Sequence, residues 1–150
     1  MQTSKASVRT DVLRLAGTTA RFARMLDQRV RQSQVGDGLT LAEIGILGQI
    51  DRGLDLPSVL ARELHLDPPR VTRIGDRLVA LGYIRRETDA RDRRLCRLHV
   101  TEAGVSRLAG ACVELTEIMD SLLTGLSHEE RSGLEVGLEG VRRVLTAPSE

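Results

Sequence analysis

One segment constrains the fold of this 150-residue chain more than any other: DPPRVTRIGDRLVALGYIRRETDARDRR, from Asp67 to Arg94. Its first half has the capping residues, the apolar spacing and the glycine stop of an amphipathic helix. Its second half begins a hairpin, because a strand-like run leads into TDARD, a sequence typical of a turn. Eight arginines and no lysine lie on these two neighbouring elements. A helix followed at once by an arginine-rich hairpin indicates a surface that faces an anion.

The predicted helix of this segment has two faces. Asp67 suits its N-cap, Pro68 suits its first turn, and Gly82 suits the position after its end. Four apolar residues at helical spacing predict a buried stripe: Val71, Ile74, Leu78 and Leu81. Three arginines form a second stripe: Arg70, Arg73 and Arg77. The helix can therefore pack on its own domain and still present these arginines to a partner.

Helix signals also precede the segment. Apolar spacing predicts a first helix over 7–34, and VGDG then breaks the chain. Thr40 and Glu43 have the spacing of a capping box, so a second helix is predicted from there to about Gly53. A short third helix, opened by Pro57, leads to the segment.

A return strand and two long helices follow the segment. In the return strand RRLCRLHV, the alternating residues Cys96, Leu98 and Val100 are predicted on the inner face of the hairpin. Thr101 caps a long helix with a regular apolar seam, and Ser127 starts the last helix.

This order of elements predicts a mainly α protein with a small β-hairpin wing: a winged helix-turn-helix flanked by long N- and C-terminal dimerisation helices. Residues 37–100 form the predicted winged helix-turn-helix DNA-binding domain, and residues 1–36 and 101–150 form the predicted helical dimerisation domain. The long helices have more apolar surface than the small winged module can cover, so we expect a homodimer. The alternative is an intramolecular bundle.

Charge is distributed unevenly along the chain, although the net charge is only +1. Residues 67–97 contain nine arginines and five acids, whereas residues 101–150 contain four arginines and nine acids. Such asymmetry indicates contact with nucleic acid. The alternative is that the charges form a solvated face.

The N-terminal turns of the second helix of a helix-turn-helix meet the base edges of DNA. Pro69, Arg70, Thr72 and Arg73 occupy those turns here. Arginine can bind guanine O6 and N7 with two hydrogen bonds, worth about 1–3 kcal/mol of discrimination. Arg77 lies further along the helix and is expected to hold phosphate. The alternative is an exposed helix whose charges form salt bridges.

The hairpin strengthens the DNA interpretation. Arg91 and Arg93 lie at its tip with Asp92 between them, and an arginine on such a tip can enter a narrow minor groove. We expect Asp92 to hold an arginine side chain, that of Arg94, so that the loop is rigid before binding. The arginines on the strands are phosphate candidates: Arg85, Arg86 and Arg97. The alternative is a solvated turn.

The chain resembles the MarR family of bacterial transcriptional regulators. The resemblance rests on VTR, DRL and LGYI in the segment, on the wing DARDRR and on VTEAG after it. It is close over residues 39–110, and the helix order extends it over nearly the whole chain. By this resemblance, Pro69, Arg70, Thr72, Arg73 and Arg77 fall on recognition-helix positions, and Asp92, Arg93 and Arg94 fall on the wing motif.

The resemblance also implies partners. It implies a homodimer whose two winged modules bind a pseudo-palindromic operator in double-stranded DNA, with repression relieved by a small-molecule effector. The family's effector pocket lies between the dimer helices and the winged module. Its residues here would be Phe22, Leu26, Ile44, Leu47 and Cys112. Because the chain has only two aromatic residues, an alternative is that no effector binds.

Other chemistries find little support. Cys96 and Cys112 are the two cysteines, both expected to be buried, with oxidant sensing as the alternative. The three histidines are far apart, so we expect no metal site and no cofactor. No phosphate loop or nucleophile elbow is present, so we expect no catalytic residues and no enzyme activity. The chain lacks an apolar run of roughly 18 residues and a signal peptide, which predicts a cytoplasmic protein without a membrane partner.

The sequence therefore predicts a sequence-specific DNA-binding transcriptional regulator that represses as a homodimer on an inverted repeat. The alternative from a different class is a winged-helix protein-interaction module that no longer reads a specific DNA sequence. The dependence of DNA affinity on salt and on sequence separates the two.

Overall fold

The structure is a computed structural model that describes residues 3–90 and 92–146. Its elements are, in chain order, α1 (Thr3–Gln32), α2 (Val35–Gly38), α3 (Leu41–Asp51), α4 (Pro57–Glu63), α5 (Pro68–Ala80), β1 (Ile84–Thr88), β2 (Cys96–Val100), α6 (Glu102–Thr124) and α7 (His128–Thr146). The two strands form an antiparallel hairpin in which Ile84 pairs with Val100 and Thr88 with Cys96. The predicted mainly α fold with a hairpin wing and flanking helices is confirmed.

The chain divides inside α6 into two compact units, Met1–Glu114 and Leu115–Glu150. The first unit contains the helix-turn-helix, the hairpin and the first half of α6. The second contains the rest of α6 and α7. The expected division into a winged domain of residues 37–100 and a dimerisation domain of residues 1–36 and 101–150 stays a prediction, because it concerns the role of the long helices in a dimer.

The core of the first unit is aliphatic. Leu47 from α3, Leu60 from α4 and Leu78 from α5 are fully buried, and Ile84 of β1 and Leu98 of β2 are buried with them. Removing each of these side chains from water contributes about 1.5–3 kcal/mol. This packing fixes the positions of α5 and of the hairpin on the rest of the module.

The three helices of the winged module end in the same backbone motif. Two positions beyond the last residue of α3, α4 and α5, the backbone is left-handed: Gly53 has φ of 95°, His65 has φ of 51° and Gly82 has φ of 75°. The next N–H group donates to a carbonyl five residues earlier, in the pairs Leu54–Gln49, Leu66–Ala61 and Tyr83–Leu78. This Schellman motif satisfies carbonyls that the helix leaves unpaired. It sets the sharp bend at His65 that separates α4 from α5.

The predicted break at VGDG is a single helical turn, α2, with a left-handed backbone at Gly36 and Asp37. Glu114 on α6 accepts the Gly36 N–H through Oε2 at 2.8 Å. Arg107 on α6 binds Asp37 at 2.9 Å and Glu114 at 3.0 Å. Two residues of α6 therefore hold this turn in place.

Several local predictions about burial are wrong. Cys96 and Cys112 are both exposed. Cys96 begins β2, at the end of the strand pair next to the wing tip, where the core does not reach. On the inner face of the hairpin, Leu98 is buried and Val100 is half-buried. Leu81 is also exposed, because it follows the last turn of α5 and has left the buried face.

The prediction for the start of α5 is correct in position but wrong in detail. Asp67 is the N-cap residue and Pro68 occupies the first turn, as expected. Within the described residues, however, the Asp67 side chain makes no capping hydrogen bond. The proline removes one N–H group that a cap would otherwise satisfy.

In the second unit, α7 begins with a capping box. The Ser127 N–H donates to Glu130 Oε2 at 2.8 Å, and the Glu130 N–H donates to Ser127 Oγ at 3.2 Å. Hydrogen bonding of the Glu130 carboxylate by the Ser127 N–H, and next by the Ser127 side chain, lowers the pKa of Glu130 below its ordinary value. Along the same helix, a Cβ added at Gly133, Gly137 or Gly140 would meet nothing within 4 Å in the part of the chain that the structure describes.

Gly104 lies where α6 approaches the end of α5. The Thr101 N–H donates to the Tyr83 carbonyl at 2.9 Å, and the Thr101 hydroxyl donates to the Gly82 carbonyl at 2.6 Å. A Cβ added at Gly104 would overlap the Tyr83 carbonyl oxygen, a backbone atom that cannot rotate away. Within VTEAG, Thr101 therefore bonds to the two carbonyls that follow α5, and Gly104 allows the close approach of α6 that these bonds need.

We predict that Gly104→Ala lowers the free energy of unfolding by about 1–3 kcal/mol, because the added methyl group forces α6 and the Tyr83 backbone apart. Gly45→Ala is the matched control, since Gly45 lies inside α3 with nothing within 4 Å of an added Cβ. That change should raise stability by up to about 1 kcal/mol through helix propensity. Urea unfolding at one protein concentration measures both, and wild-type stability of Gly104→Ala would contradict the close approach.

Candidate nucleic-acid interface

α5 separates an apolar face from a basic face. Its buried residues are Val71, Ile74, Gly75 and Leu78. The exposed residues of its first turns include Pro69, Arg70, Thr72 and Arg73. Since burial of the apolar face fixes the rotation of the helix, these predicted recognition residues are directed to solvent. The Thr72 hydroxyl donates to the Pro68 carbonyl at 3.1 Å within the same helix.

A cleft of about 300 Å³ lies beside these turns. It is lined by Thr40, Ala42, Glu43, Arg70, Arg73, Ile74 and Arg77. Glu43 is engaged by Arg77 across this cleft at 2.7 Å. The positive charges of the cleft that remain for an external anion are therefore those of Arg70 and Arg73.

Arg77 has partners inside the protein. Its Nη1 donates to Glu43 Oε1 at 2.7 Å, and its Nη2 donates to the Gly38 carbonyl at 3.3 Å. Glu43 is only 4% exposed, and its second oxygen accepts the Thr40 N–H and hydroxyl at 2.7 and 2.9 Å. The predicted capping box of Thr40 and Glu43 is confirmed. Arg77 thus neutralises a buried carboxylate and ties α5 to the start of α3, while its expected phosphate contact stays a prediction.

Two aspartates hold the turn at the wing tip. The Asp92 N–H donates to Asp89 Oδ1 at 3.0 Å, and the Arg94 N–H donates to Asp92 Oδ1 at 3.0 Å. The prediction that Asp92 holds the side chain of Arg94 is therefore wrong, because its carboxylate binds the backbone N–H instead. Aspartate commonly makes this local bond to the backbone two residues later. Asp92 orders the turn by that route.

Arg86 reaches from β1 back to α5. Its Nη1 lies 2.7 Å from Asp76 Oδ1. A Cβ added at Gly75 would lie 3.3 Å from its Nη2, so the small residue leaves room for the guanidinium beside the helix. The ion pair joins the hairpin to α5, and the predicted phosphate contact of Arg86 stays a prediction.

The arginines of residues 67–97 fall into two groups. The first group is paired with acids: Arg77 with Glu43, Arg85 with Glu87, Arg86 with Asp76, and Arg97 with Asp55 and Asp89. The second group is exposed and has no ion pair among residues 3–90 and 92–146: Arg70, Arg73, Arg93 and Arg94. Arg91, predicted at the wing tip, lies outside the described residues. The second group is the set that the geometry leaves to an external anion.

The predicted effector residues lie in different environments. Ile44 and Leu47 of α3 are buried in the aliphatic core. Phe22 on α1 and Cys112 on α6 are exposed, and Leu26 on α1 is half-buried. Their role in an effector pocket stays a prediction.

Among the described residues, no group of three or more His, Cys, Asp or Glu side chains could hold a metal ion. Over the same residues, no helix is long and apolar enough to cross a bilayer.

Known proteins match both the sequence and the fold of the module. A profile of the MarR family matches residues 37–95. A search of curated proteins finds no significant match. The transcriptional regulator BldR from Sulfolobus solfataricus is similar in structure, with a TM-score of 0.77 at 24% identity over 91% of this chain and 95% of that one. The winged module of this chain belongs to the MarR family.

Two further structures show how far along the chain the structural likeness extends. A cysteine-to-serine mutant of MarR from E. coli, solved in complex with operator DNA, has a TM-score of 0.76 at 22% identity over 87% of this chain and 95% of that one. The organohalide-sensing regulator RdhR, solved in its 2,4-dichlorophenol-bound form, has a TM-score of 0.77 at 18% identity over 91% of this chain and 88% of that one. The shared fold thus includes helices outside the MarR-family module.

Three of the acids that hold arginines of this module, Glu43, Asp55 and Asp89, were not predicted as ion-pair partners from the sequence. Glu43 was assigned a capping role, which is correct, but its pairing with Arg77 across 34 positions has no local signal. Asp55 and Asp89 bind Arg97 from 42 and 8 positions away. Contacts between distant elements of this kind follow from the packing of the core and not from any spacing.

We predict that Arg77→Ala lowers the free energy of unfolding by about 2–3 kcal/mol, because Glu43 is left buried and negative. The loss is smaller than for a fully buried pair, since the Arg77 side chain is half-exposed. Arg62→Ala is the matched control: its exposed pair with Glu63 on α4 should be worth less than about 1 kcal/mol. Chemical denaturation of both variants tests this. Equal losses would contradict the structural role of Arg77.

Proposed function

We propose that this chain is a sequence-specific DNA-binding transcriptional regulator, a repressor that binds an inverted-repeat operator as a homodimer and is relieved by a small effector. The observation that carries the proposal is the second group of arginines. Arg70 and Arg73 on α5, and Arg93 and Arg94 on the wing, are exposed and not ion-paired within the described residues. They lie on the two elements with which winged helices contact DNA. E. coli MarR, which shares this fold, is known in complex with operator DNA.

In this proposal, the two groups of contacts have different tasks. Arg70, Thr72 and Arg73, together with Pro69, read base edges in the major groove. Arg91, Arg93 and Arg94 of the wing enter the adjacent minor groove, where arginine is attracted to the negative potential. Arg77 and Arg86 each retain an exposed part and contribute to the positive potential that attracts phosphate.

Exposed apolar side chains on the three long helices support the homodimer. In the single chain they include Leu13, Leu15, Met25, Val113, Val136, Leu138, Val141 and Val144. Apolar surface of this extent on helices marks a protein interface. The open glycine positions of α7 would allow close approach of a partner helix, which offsets their cost of roughly 1 kcal/mol each in helix propensity.

Support for an effector comes from the regulator RdhR, whose structure contains 2,4-dichlorophenol. The proposed pocket in this chain uses Phe22, Leu26, Ile44, Leu47 and Cys112, which belong to helices on either side of the α2 turn. With Phe22 as its one aromatic residue, the pocket favours an aliphatic or small polar effector over one that needs stacking.

The experiment for this proposal is a fluorescence-anisotropy titration with DNA from upstream of the protein's own gene and with scrambled DNA. A regulator with six to ten phosphate contacts should lose about 10³–10⁵ in affinity between 50 and 200 mM salt. It should also prefer one sequence. Weak binding that is equal for all sequences, including fragments selected from the whole genome, would contradict the proposal and favour a protein-interaction module.

We predict that Arg73→Ala reduces the preference for operator over scrambled DNA by about 1–3 kcal/mol, the usual value of a bidentate base contact. Arg142→Ala is the control, because it removes the same charge from α7, outside the winged module, where Arg142 pairs with Glu139. The ratio of the two dissociation constants is the readout. Equal ratios for Arg73→Ala and the wild type would contradict base reading by Arg73.

A further inference from the structure

Arg97 lies on β2 opposite Glu87, one pair from the tip end of the hairpin, and binds aspartates on two other parts of the module. Its Nε donates to Asp89 Oδ2 at 2.5 Å, and its Nη1 donates to Asp55 Oδ2 at 2.7 Å. Asp89 follows β1 directly, whereas Asp55 lies in the connection between α3 and α4. One guanidinium group therefore joins β2, the end of β1 and the body of the winged module.

The environment of Arg97 disfavours direct contact with DNA. The side chains of Asp89 and Asp55 are 12% and 25% exposed, and both carboxylates face the same guanidinium. The hydrogen bonds to Asp55, and next those to Asp89, raise the pKa of Arg97 above its ordinary value. Two carboxylates already bind this one guanidinium, so its charge and its hydrogen-bond donors are used within the module and not by phosphate. The sequence-based expectation that Arg97 is a phosphate contact does not fit this geometry.

The same residues are linked to the wing tip through the backbone. The Leu98 N–H donates to the Asp55 carbonyl at 2.8 Å, so β2 is fastened to the α3–α4 connection twice. Asp89 accepts the Asp92 N–H through Oδ1, the carboxylate oxygen that Arg97 Nε does not use. The contacts thus run without interruption from Asp55 through Arg97 and Asp89 to the turn that carries Arg93 and Arg94.

We infer that Asp55, Asp89 and Arg97, named here the wing clasp, position the wing-tip arginines for DNA without touching it. The inference rests on the proposed function. A two-stranded hairpin is marginally stable by itself, so its orientation depends on the contacts that hold it to the rest of the module. A wing that is already held loses less conformational freedom on binding, and this strengthens the complex.

Replacing Asp55 or Asp89 by asparagine distinguishes two explanations, because they predict opposite changes in DNA affinity. If these aspartates acted on DNA only through their charge, Asp55→Asn and Asp89→Asn would strengthen binding by removing repulsion. The wing clasp predicts that each weakens binding, by about tenfold, as expected for residues coupled in one network. Asp51→Asn, at an exposed aspartate that ends α3, is the matched control and should not weaken binding.

Arg97→Leu tests whether Arg97 positions the wing or contacts phosphate itself, because only the loss of a phosphate contact changes the salt dependence of DNA binding. It should weaken binding by a similar factor while the slope of log K against log[salt] stays at the wild-type value, because no phosphate contact is lost. Arg93→Ala, a proposed contact, should reduce the magnitude of that slope by about 0.9. In a double-mutant cycle, Arg93→Ala should cost less in the Arg97→Leu background than in the wild type, since the wing is already misplaced. Additive losses would contradict the inference.

A second readout needs no DNA. Hydrogen exchange at the backbone amides of Asp89 and Leu95, which bond within the wing loop, should be faster in Arg97→Leu than in the wild type. Circular dichroism and thermal unfolding establish that each variant is folded at the assay temperature. Should Arg97→Leu fail to fold, Arg97→Lys replaces it: lysine keeps the charge but lacks the fork that reaches both carboxylates, so it should also weaken binding.

The DNA for these titrations is the fragment that the wild-type protein selects from a random pool. If the wild type selects nothing and binds all DNA weakly, the proposed function fails and the wing clasp fails with it. If the wild type selects a sequence but Asp55→Asn and Asp89→Asn bind that sequence as tightly as the wild type or more tightly, only the wing clasp is overturned.

Discussion

The apolar side of α5 packs on the aliphatic core, and this packing determines which way the helix presents its charges. Val71 and Leu78 are buried together with Ile84 of the hairpin, so the helix and the wing share one core. The exposed arginines of α5 and of the wing tip are therefore carried on one packed body. A surface that has to match the grooves of DNA requires this kind of fixed geometry, because misplaced contacts lose most of their value.

The arginines of residues 67–97 have two roles, which depend on whether an acidic residue binds them. Glu43, Asp76, Asp55 and Asp89 each bind an arginine from another element. These pairs join α5 to α3, the hairpin to α5, and the hairpin to the α3–α4 connection. Arginine suits this use because its planar fork binds two oxygens at once. The concentration of arginine in residues 67–97 thus has two causes: some arginines hold the module together, and others remain for the anion.

The sequence predicted the order of elements well because local signals control it: the capping box at Thr40, the proline at the start of α5 and the glycine at its end. It also predicted the two faces of α5, since helical spacing determines which residues share a face. It failed for Cys96, whose burial depends on where the core ends along the strand. It failed for the partner of Arg94 and missed the partners of Arg97, because ion pairs between distant elements depend on tertiary packing.

Selection of bound sequences from a random DNA pool by the purified wild-type protein tests the central claim most directly. Two recognition helices related by a dimer axis should select an inverted repeat whose half-site centres are about 10 base pairs, or one helical turn, apart. Recovery of such a repeat would support both the reading surface and the dimer. A pool that remains random after repeated selection at low salt, with folded protein, would contradict the account.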